Sequence, residues 1–337
     1  MKHRKNKRLI SKSEKQRRKE LRRATKRKNW WYHHKRRVIA DATGRARLHI
    51  IQLPKSVYLL TPDEKIFQII NEAENKERIC FKFSTVQNID VGSMLYIKAF
   101  IDKKKAEGVD VRVSCAKQNS KMRQILQHMK LKNYNLHITY NDIRCWTVKE
   151  WHGYSEENYV KVFMEETLPN VLEGKIPNEN FAGIASSLTE LLANCSEHAY
   201  LKGDNFKGYF LIAGEYENII HGKSNGFSFC ILDMGQGFRG SLHKNTQFNN
   251  VIKQLGILSD DKIIKAAVEG KFNANTDKTA GRGTGLPDVK KKVESINGSL
   301  HIYSNKGTYL YNNGNETLKM RNYAVIGSII TVTLPIN

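Results

Sequence analysis

The chain has 337 residues, 56 Lys and Arg against 33 Asp and Glu, a formal charge of +23 and a hydrophobic fraction of 40%. That composition suits a globular protein with room for about two domains; no apolar run approaches the roughly 18 residues of a membrane span, and the N-terminus lacks the apolar core of a secretory signal, so a cytoplasmic protein is expected. Cys80, Cys115, Cys145, Cys195 and Cys230 are odd in number, widely spaced and without a CxxC, which removes the usual signature of a disulfide framework or a structural zinc and favours cysteines acting as small hydrophobes.

The charge is concentrated at the start. Residues 1–37 hold 18 Lys and Arg against only Glu14 and Glu20, a local charge of +16 that leaves +7 for the other 300 residues. Up to residue 28 the large apolar side chains are Leu9, Ile10 and Leu21, too few to offset the entropy of ordering, so a disordered basic arm is expected over 1–37. Trp30-Trp31-Tyr32-His33-His34 then precedes Lys35, Arg36 and Arg37. Cations meet phosphates and rings stack on unpaired bases, so DNA or RNA is one partner the arm fits. An acidic protein or a membrane surface is another, and the plain alternative is a solvated arm anchored by its aromatics. The His33-His34 pair has no Cys or carboxylate at ligand spacing and does not read as a metal site.

From about Leu48 the pattern alternates. His49–Leu53 and Ile79–Phe83 read as strands around a helix in Pro62–Asn75, where Ile66, Ile69, Ile70 and Ala73 recur at helical spacing. Met94, Leu95, Ile97, Ala99, Phe100 and Ile101 suit a buried helix, Val109–Ser114 a strand and Ser120–Leu131 a further helix. Helices alternating with strands predict a small α/β domain with a largely parallel sheet. Asp90 stands where a helix N-cap belongs. This element order, with Ile89-Asp90-Val91-Gly92-Ser93-Met94-Leu95 leading into a helix, resembles a STAS domain, the fold of bacterial anti-anti-sigma factors. In that family an Asp-Ser-Ser-Gly turn opens the helix and the Ser before Gly accepts phosphate; here Gly92 occupies that place, so the acceptor does not carry over. The STAS-like domain is expected over 45–135, a boundary between about Tyr134 and Ser155, and a second domain over 150–337.

Three motifs in the second half carry chemistry. Within Ser186–Tyr200, Leu188, Leu191, Leu192 and Cys195 mark the buried side of a helix from which Glu190, Asn194 and His198 project together, four residues apart. A carboxylate there can orient or deprotonate a nucleophile and an amide oxygen can ligate Mg²⁺, although polar residues at this spacing also mark an ordinary solvated face. The apolar run from Phe227 ends in Asp233-Met234-Gly235-Gln236-Gly237. A carboxylate at a strand end followed by glycines can read an exocyclic amine such as that of adenine; a bare glycine turn is the alternative. Finally, Gly281, Gly283 and Gly285 alternate through AGRGTGLPDV, with Leu286 and Pro287 at a helix start. Free amides there favour phosphate, while a glycine hinge is the simpler reading. Neither the P-loop nor the Rossmann pattern fits.

The order and separation of these motifs resemble the N, first-glycine and second-glycine boxes of the GHKL superfamily, which includes the ATPase domains of gyrase, the heat-shock chaperone, mismatch-repair proteins and sensor kinases. Asn297–Ile302 and Gly327–Val332 are similar to its last two strands. The resemblance implies a Bergerat α/β sandwich that binds ATP and Mg²⁺. It matches Asn194 to the Mg²⁺ ligand, Asp233 to the reader of the adenine amine, Gly235 and Gly237 to the loop beneath the base, and Glu190 to the general base or water-orienting carboxylate. Gly281, Arg282, Gly283, Thr284, Gly285 and Leu286 match the lid over the phosphates, and His198 a residue that supports helix packing.

No phosphoacceptor His lies in a convincing dimerisation helix, which disfavours a sensor histidine kinase. The anti-sigma-factor type of serine kinase is closer: its helix has the same Glu-x3-Asn-x3-His spacing and its partner is a STAS domain. The expected function is therefore Mg-ATP hydrolysis or phosphotransfer to a protein Ser or Thr, gated by the fused STAS-like part. The alternative is a nucleotide-gated interaction protein, of the kind found in defence or mobile elements, whose arm over 1–37 holds nucleic acid while ATP drives homodimer or partner exchange.

Overall fold

The alternating pattern after Leu48 folds much as its periodicity predicts. The computed structural model describes residues 47–61, 63–138, 145–152, 187–192, 194–195, 199–201, 203–214, 226–242, 248–256, 259–272 and 285–335, with backbone alone at 145–152. The basic arm 1–37 lies outside the described residues, as do 281–284 and His198. Residues 50–337 form one unit by their internal packing.

The elements of the first half are β1 (His49–Gln52), β2 (Ser56–Val57), α1 (Lys65–Ala73), β3 (Arg78–Lys82), β4 (Asn88–Ile89), α2 (Val91–Ala106), β5 (Asp110–Ser114) and α3 (Ser120–His128). One sheet has the order β1-β3-β5, with β3 and β5 parallel, and β2 and β4 form a separate parallel pair. Helices α1 and α3 bury one stripe each, Ile66, Phe67, Ile69, Ile70 and Ala73 in the first and Met122, Ile125 and Leu126 in the second.

Helix α2 is different, because every residue from Val91 to Ile101 is buried. A helix buried all round has to be covered on more than one side. The three-stranded sheet covers one, where Phe81 and Phe100 meet edge-on at 6.1 Å. Strands β7 (Gly208–Gly214) and β8 (Gly226–Asp233) cover another. Asp90 caps the helix as expected, its carboxylate accepting from Ser93 N at 2.5 Å and from Leu59 N at 2.8 Å.

The larger sheet adds β6 (Cys145–His152), β9 (Ser299–Asn312) and β10 (Asn315–Pro335) in the order β6-β7-β8-β10-β9, with every neighbouring pair antiparallel. Alternation divides its two faces. Phe210, Ile212, Cys230, Leu232, Tyr303 and Ile329 join the core of α1 and α2, whereas Leu211, Phe229, Ile231, Ile302 and Ile330 join Leu188 and Leu191. The stretches 45–135 and 150–337 thus share a continuous core across the first face. The chain is mixed α/β, with parallel and antiparallel sheets.

Strands β8 and β9 both run antiparallel to β10 and hence parallel to each other. The crossover between them carries α4 (Gly237–Leu242), α5 (Phe248–Leu255), α6 (Asp260–Val268) and α7 (Gly285–Ser295). The strands expected at 297–302 and 327–332 are the ends of a much longer hairpin, turned at Asn313-Gly314 where both residues have positive φ, 47° and 79°. Near its turn Glu316 receives Lys265 of α6 at 2.8 Å, Lys290 of α7 at 2.6 Å and the Tyr309 hydroxyl at 3.0 Å. The two lysines hold its carboxyl down at about 2, so both helices are tied to the hairpin across the ordinary pH range.

Because α2 serves both sheets, Phe100→Ala is expected to cost about 3–5 kcal/mol and to lower the unfolding of residues 50–337 as one transition. Urea unfolding followed by far-UV circular dichroism and tyrosine fluorescence checks this; two separated transitions in the wild type would contradict the shared core.

Candidate functional site

The apolar run of β8 carries its last residue, Asp233, under the second face of the sheet. Only 5% of this residue is exposed, and among the described residues no cation pairs with it. Its Oδ1 accepts from Gly235 N at 2.8 Å, and the Ser328 hydroxyl and amide, opposite it on β10, also donate to it. Burial outweighs these donors and pushes the carboxyl up to about 6. A carboxylate held in this way is costly unless something else uses its remaining acceptor capacity.

The glycines that follow have packing reasons of their own. A Cβ on Gly235 would lie 2.1 Å from the Ala199 carbonyl oxygen, which is an impossible approach. Gly237 has φ 72°, and a Cβ there would meet Ser304 Oγ and Asn305 Oδ1, both at 2.7 Å. Side chains then complete the turn: Phe238 N donates to Ser304 Oγ at 2.9 Å, and Asn305 Nδ2 to Gln236 O at 3.3 Å. Met234 N donates to the Tyr200 hydroxyl at 2.9 Å, and that hydroxyl donates in turn to Gly208 O.

Residues 187–192 and 194–195 are helical, and their two ends meet different parts of the site. Toward the C-terminal end, Ala199 touches the Gly235 turn, and the buried Cys195 thiol is pushed well up, first by burial and then by the Asp233 charge. On the polar flank, Glu190 and Asn194 abut the first residue of α7. A Cβ on Gly285 would lie 3.1 Å from Asn194 Nδ2 and 3.2 Å from Glu190 Oε2. The spacing therefore does place Glu190 and Asn194 together, and this helix links the end of β8 to the start of α7. Leu286 and Val289 of α7 pack with Leu188 and Leu191.

Of the expected site residues, Glu190, Asn194, Asp233, Gly235, Gly285 and Leu286 lie along this helix and the residues that follow it, whereas Gly237 packs on Ser304 and Asn305. Gly281, Arg282, Gly283 and Thr284 lie outside the described residues. Ser328, Ser304 and Tyr200 were not singled out by sequence reasoning; a Ser at a strand end carries no local signal, although Gly327-Ser328 aligns with a strand that was expected. At the turn that opens α2, Ser93 is fully buried, and a Cβ on Gly92 would meet Leu59 Cδ1 at 2.4 Å. That turn is packed into the core.

Among the described residues no cluster of three or more His, Cys, Asp or Glu can hold a metal, and no helix is long and apolar enough to cross a membrane. No protein-family model and no curated protein matches this chain.

An acid whose folded pKa is raised costs stability once it ionises. The unfolding free energy of the wild type relative to Asp233→Asn is therefore expected to fall as pH rises from about 4 to about 6, by up to roughly 3 kcal/mol, and to level off above. Chemical denaturation of both proteins across this range checks it; a pH-independent difference would show that Asp233 is not held in this state.

Proposed function

We propose that the chain is an ATP-binding regulatory protein of the GHKL class, a STAS-like α/β layer joined to a Bergerat-type sandwich, which hydrolyses Mg-ATP or passes phosphate to a protein Ser or Thr. One observation carries the reading: a buried carboxylate at a strand end, with no cation partner among the described residues, shares a sheet face and a helix with a Glu/Asn pair at a helix N-terminus. The donor set fits the group. Asp233 retains acceptor capacity for an exocyclic amine, Asn194 offers an amide oxygen to Mg²⁺, and glycine at 285 lets Glu190 and Asn194 lie directly against the first turn of α7.

Bound Mg-ATP would supply a γ-phosphoryl group with most of its charge already neutralised by the metal. The chain's own part is positioning. Asp233 would accept from the adenine amine, Gly235 and Gly237 would let the turn lie close to the base, and Asn194 would hold the metal. Glu190 would orient the attacking water or hydroxyl and take its proton. The amides of Gly285 and Leu286 would receive the phosphates, together with Gly281, Arg282, Gly283 and Thr284 as the resemblance implies. The burial of Ser93 favours gating by the STAS-like layer through contact, not through a phosphorylated turn.

The second reading, nucleic-acid binding, also has an observation behind it. Residues 111–141 contain six Lys and Arg and no Asp or Glu. Among the described residues none of Lys117, Lys121, Arg123, Lys130 and Lys132 forms an ion pair, whereas Lys98, Lys103, Lys104, Lys265 and Lys290 all do. Arg123 lies 4.5 Å and Lys132 5.6 Å from the Tyr134 ring. Unpaired cations around an aromatic suit a phosphate backbone, in addition to the arm over 1–37.

Calorimetry with Mg-ATP is expected to show binding to the wild type and a loss of roughly a hundredfold for Asp233→Asn, whose circular dichroism stays native. Glu190→Ala is expected to bind ATP and lose turnover. Unchanged affinity in the first variant or unchanged turnover in the second removes that residue from its role. Removal of residues 1–37 is expected to weaken salt-sensitive binding to a single-stranded oligonucleotide while leaving ATP affinity unchanged; equal oligonucleotide binding before and after would exclude the arm.

A further inference from the structure

Between Met320 and Ser328 the long hairpin loses its regular ladder, with register shifts on both sides of Val325. A bulge leaves backbone donors and acceptors without strand partners, and these have to be satisfied from elsewhere. In this chain they are satisfied by side chains from the first half. Asn322 N and Tyr323 N both donate to Glu64 Oε2, at 2.9 and 3.3 Å. Asn71 Nδ2 donates to Ala324 O at 2.7 Å, and Ile326 N to the Tyr96 hydroxyl at 3.1 Å. Four residues of one bulge are thus held by α1, α2 and the residue that precedes α1.

The surroundings make this junction stiff. Glu64 is 1% exposed and sits at φ 50°, a left-handed conformation uncommon for a residue with a side chain. Arg321 is buried with its guanidinium 4.3 Å from the Phe67 ring and 4.8 Å from the Tyr303 ring, and its Nε donates to Thr308 Oγ1 at 2.6 Å. Phe67 in turn packs against Tyr96 at 5.7 Å.

The bulge leads directly into Gly327 and Ser328. Gly327 has φ 78°, and a Cβ there would lie 2.0 Å from the Asp233 carbonyl oxygen. Ser328 donates to the Asp233 carboxylate and shares a 3.2 Å hydrogen bond with Ser304, the residue that also receives Phe238 N. A shift of the bulge by a fraction of an ångström therefore moves the donors of Asp233 and the turn after it.

We propose that Glu64, Asn71 and Tyr96 are positioning residues for Asp233, so that the α1/α2 layer sets the geometry of the pocket carboxylate through the bulge at 322–328. The proposal rests on the nucleotide reading for its consequence, but the coupling to Asp233 is measurable without nucleotide. Conformational change in the layer would alter ligand affinity by this route, which is a physical path for gating by the first half of the chain.

The test uses the full chain as wild type, Tyr96→Phe, Glu64→Ala and Glu64→Gln. Three quantities are read: the Asp233 carboxyl titration by ¹³C NMR, Mg-ATP affinity by calorimetry, and Tm. Loosening Ser328 removes donors that hold the carboxyl down, so Tyr96→Phe and Glu64→Ala are expected to move the Asp233 midpoint further above 6 and to weaken ATP binding by about tenfold, the scale of one buried hydrogen bond. Glu64→Gln keeps an acceptor oxygen and is expected to stay near the wild type in both. Lower Tm with an unmoved Asp233 midpoint and unchanged affinity in both Tyr96→Phe and Glu64→Ala would overturn the proposal, leaving the junction structural. A moved midpoint in a protein whose wild type binds no ATP would uphold the coupling and overturn the nucleotide reading.

Discussion

Helix α2 has no exposed side over its first three turns, Lys98 included, which pairs with Asp102 at 2.5 Å, so it is stable only when it is enclosed. The three-stranded sheet closes one side and the back of the five-stranded sheet another, which makes the first and second halves of residues 50–337 parts of one core. Everything on the far side of the larger sheet inherits its position from this enclosure. The strand that ends in Asp233 packs through Cys230 and Leu232 on the α2 side, and through Phe229 and Ile231 on the side of the Glu190 helix.

Within that frame the site is built from opposed electrostatic choices. Most ionisable side chains near the helices are paired: Glu316 with Lys265 and Lys290, and Arg239 with Asp260 at 2.6 Å. Asp233 is held differently, by hydrogen bonds from neutral donors, and is driven up by burial. Its donors, Gly235 N and Ser328, are neutral, so burial rather than an ion pair sets its protonation, and in the proposed reading a ligand amine would add a further donor. Glycine at 235, 237 and 285 keeps the backbone close to its neighbours at the same place, and each position is explained either by a clash with Ala199, Ser304, Glu190 or Asn194 or by a positive φ.

Much of this was legible in the residues. Helix and strand periodicity located the three helices and the strands at 49–52, 78–82 and 110–114, but not the short pair Ser56–Val57 and Asn88–Ile89; the i, i+4 spacing put Glu190 and Asn194 on one helix face, and only the fold brings that face to Gly285. The Asp90 cap was legible from its place before an apolar run. What could not be read locally is long-range: Glu64 meets Asn322 across 258 positions, and nothing near either residue announces the other. Ser328 likewise acquires its role only when β10 is paired with β8. Asn313-Gly314 is a strong hairpin turn signal that extends both C-terminal strands, whereas the full enclosure of α2 is not announced by its residues, because Ser93 and Lys98 interrupt the apolar run of 91–101.

The central claim is that one helix-bridged core holds a nucleotide site on one face of the larger sheet and is coupled to it from the other. Hydrogen–deuterium exchange of the full chain with and without Mg-ATP tests this most directly. Added protection is predicted at 187–195, at 233–242 and at the start of α7, together with the bulge at 322–328 on the opposite side of Asp233. Exchange that is identical with and without nucleotide would contradict the site, and protection confined to the site with none at 322–328 would contradict its coupling to the rest of the core.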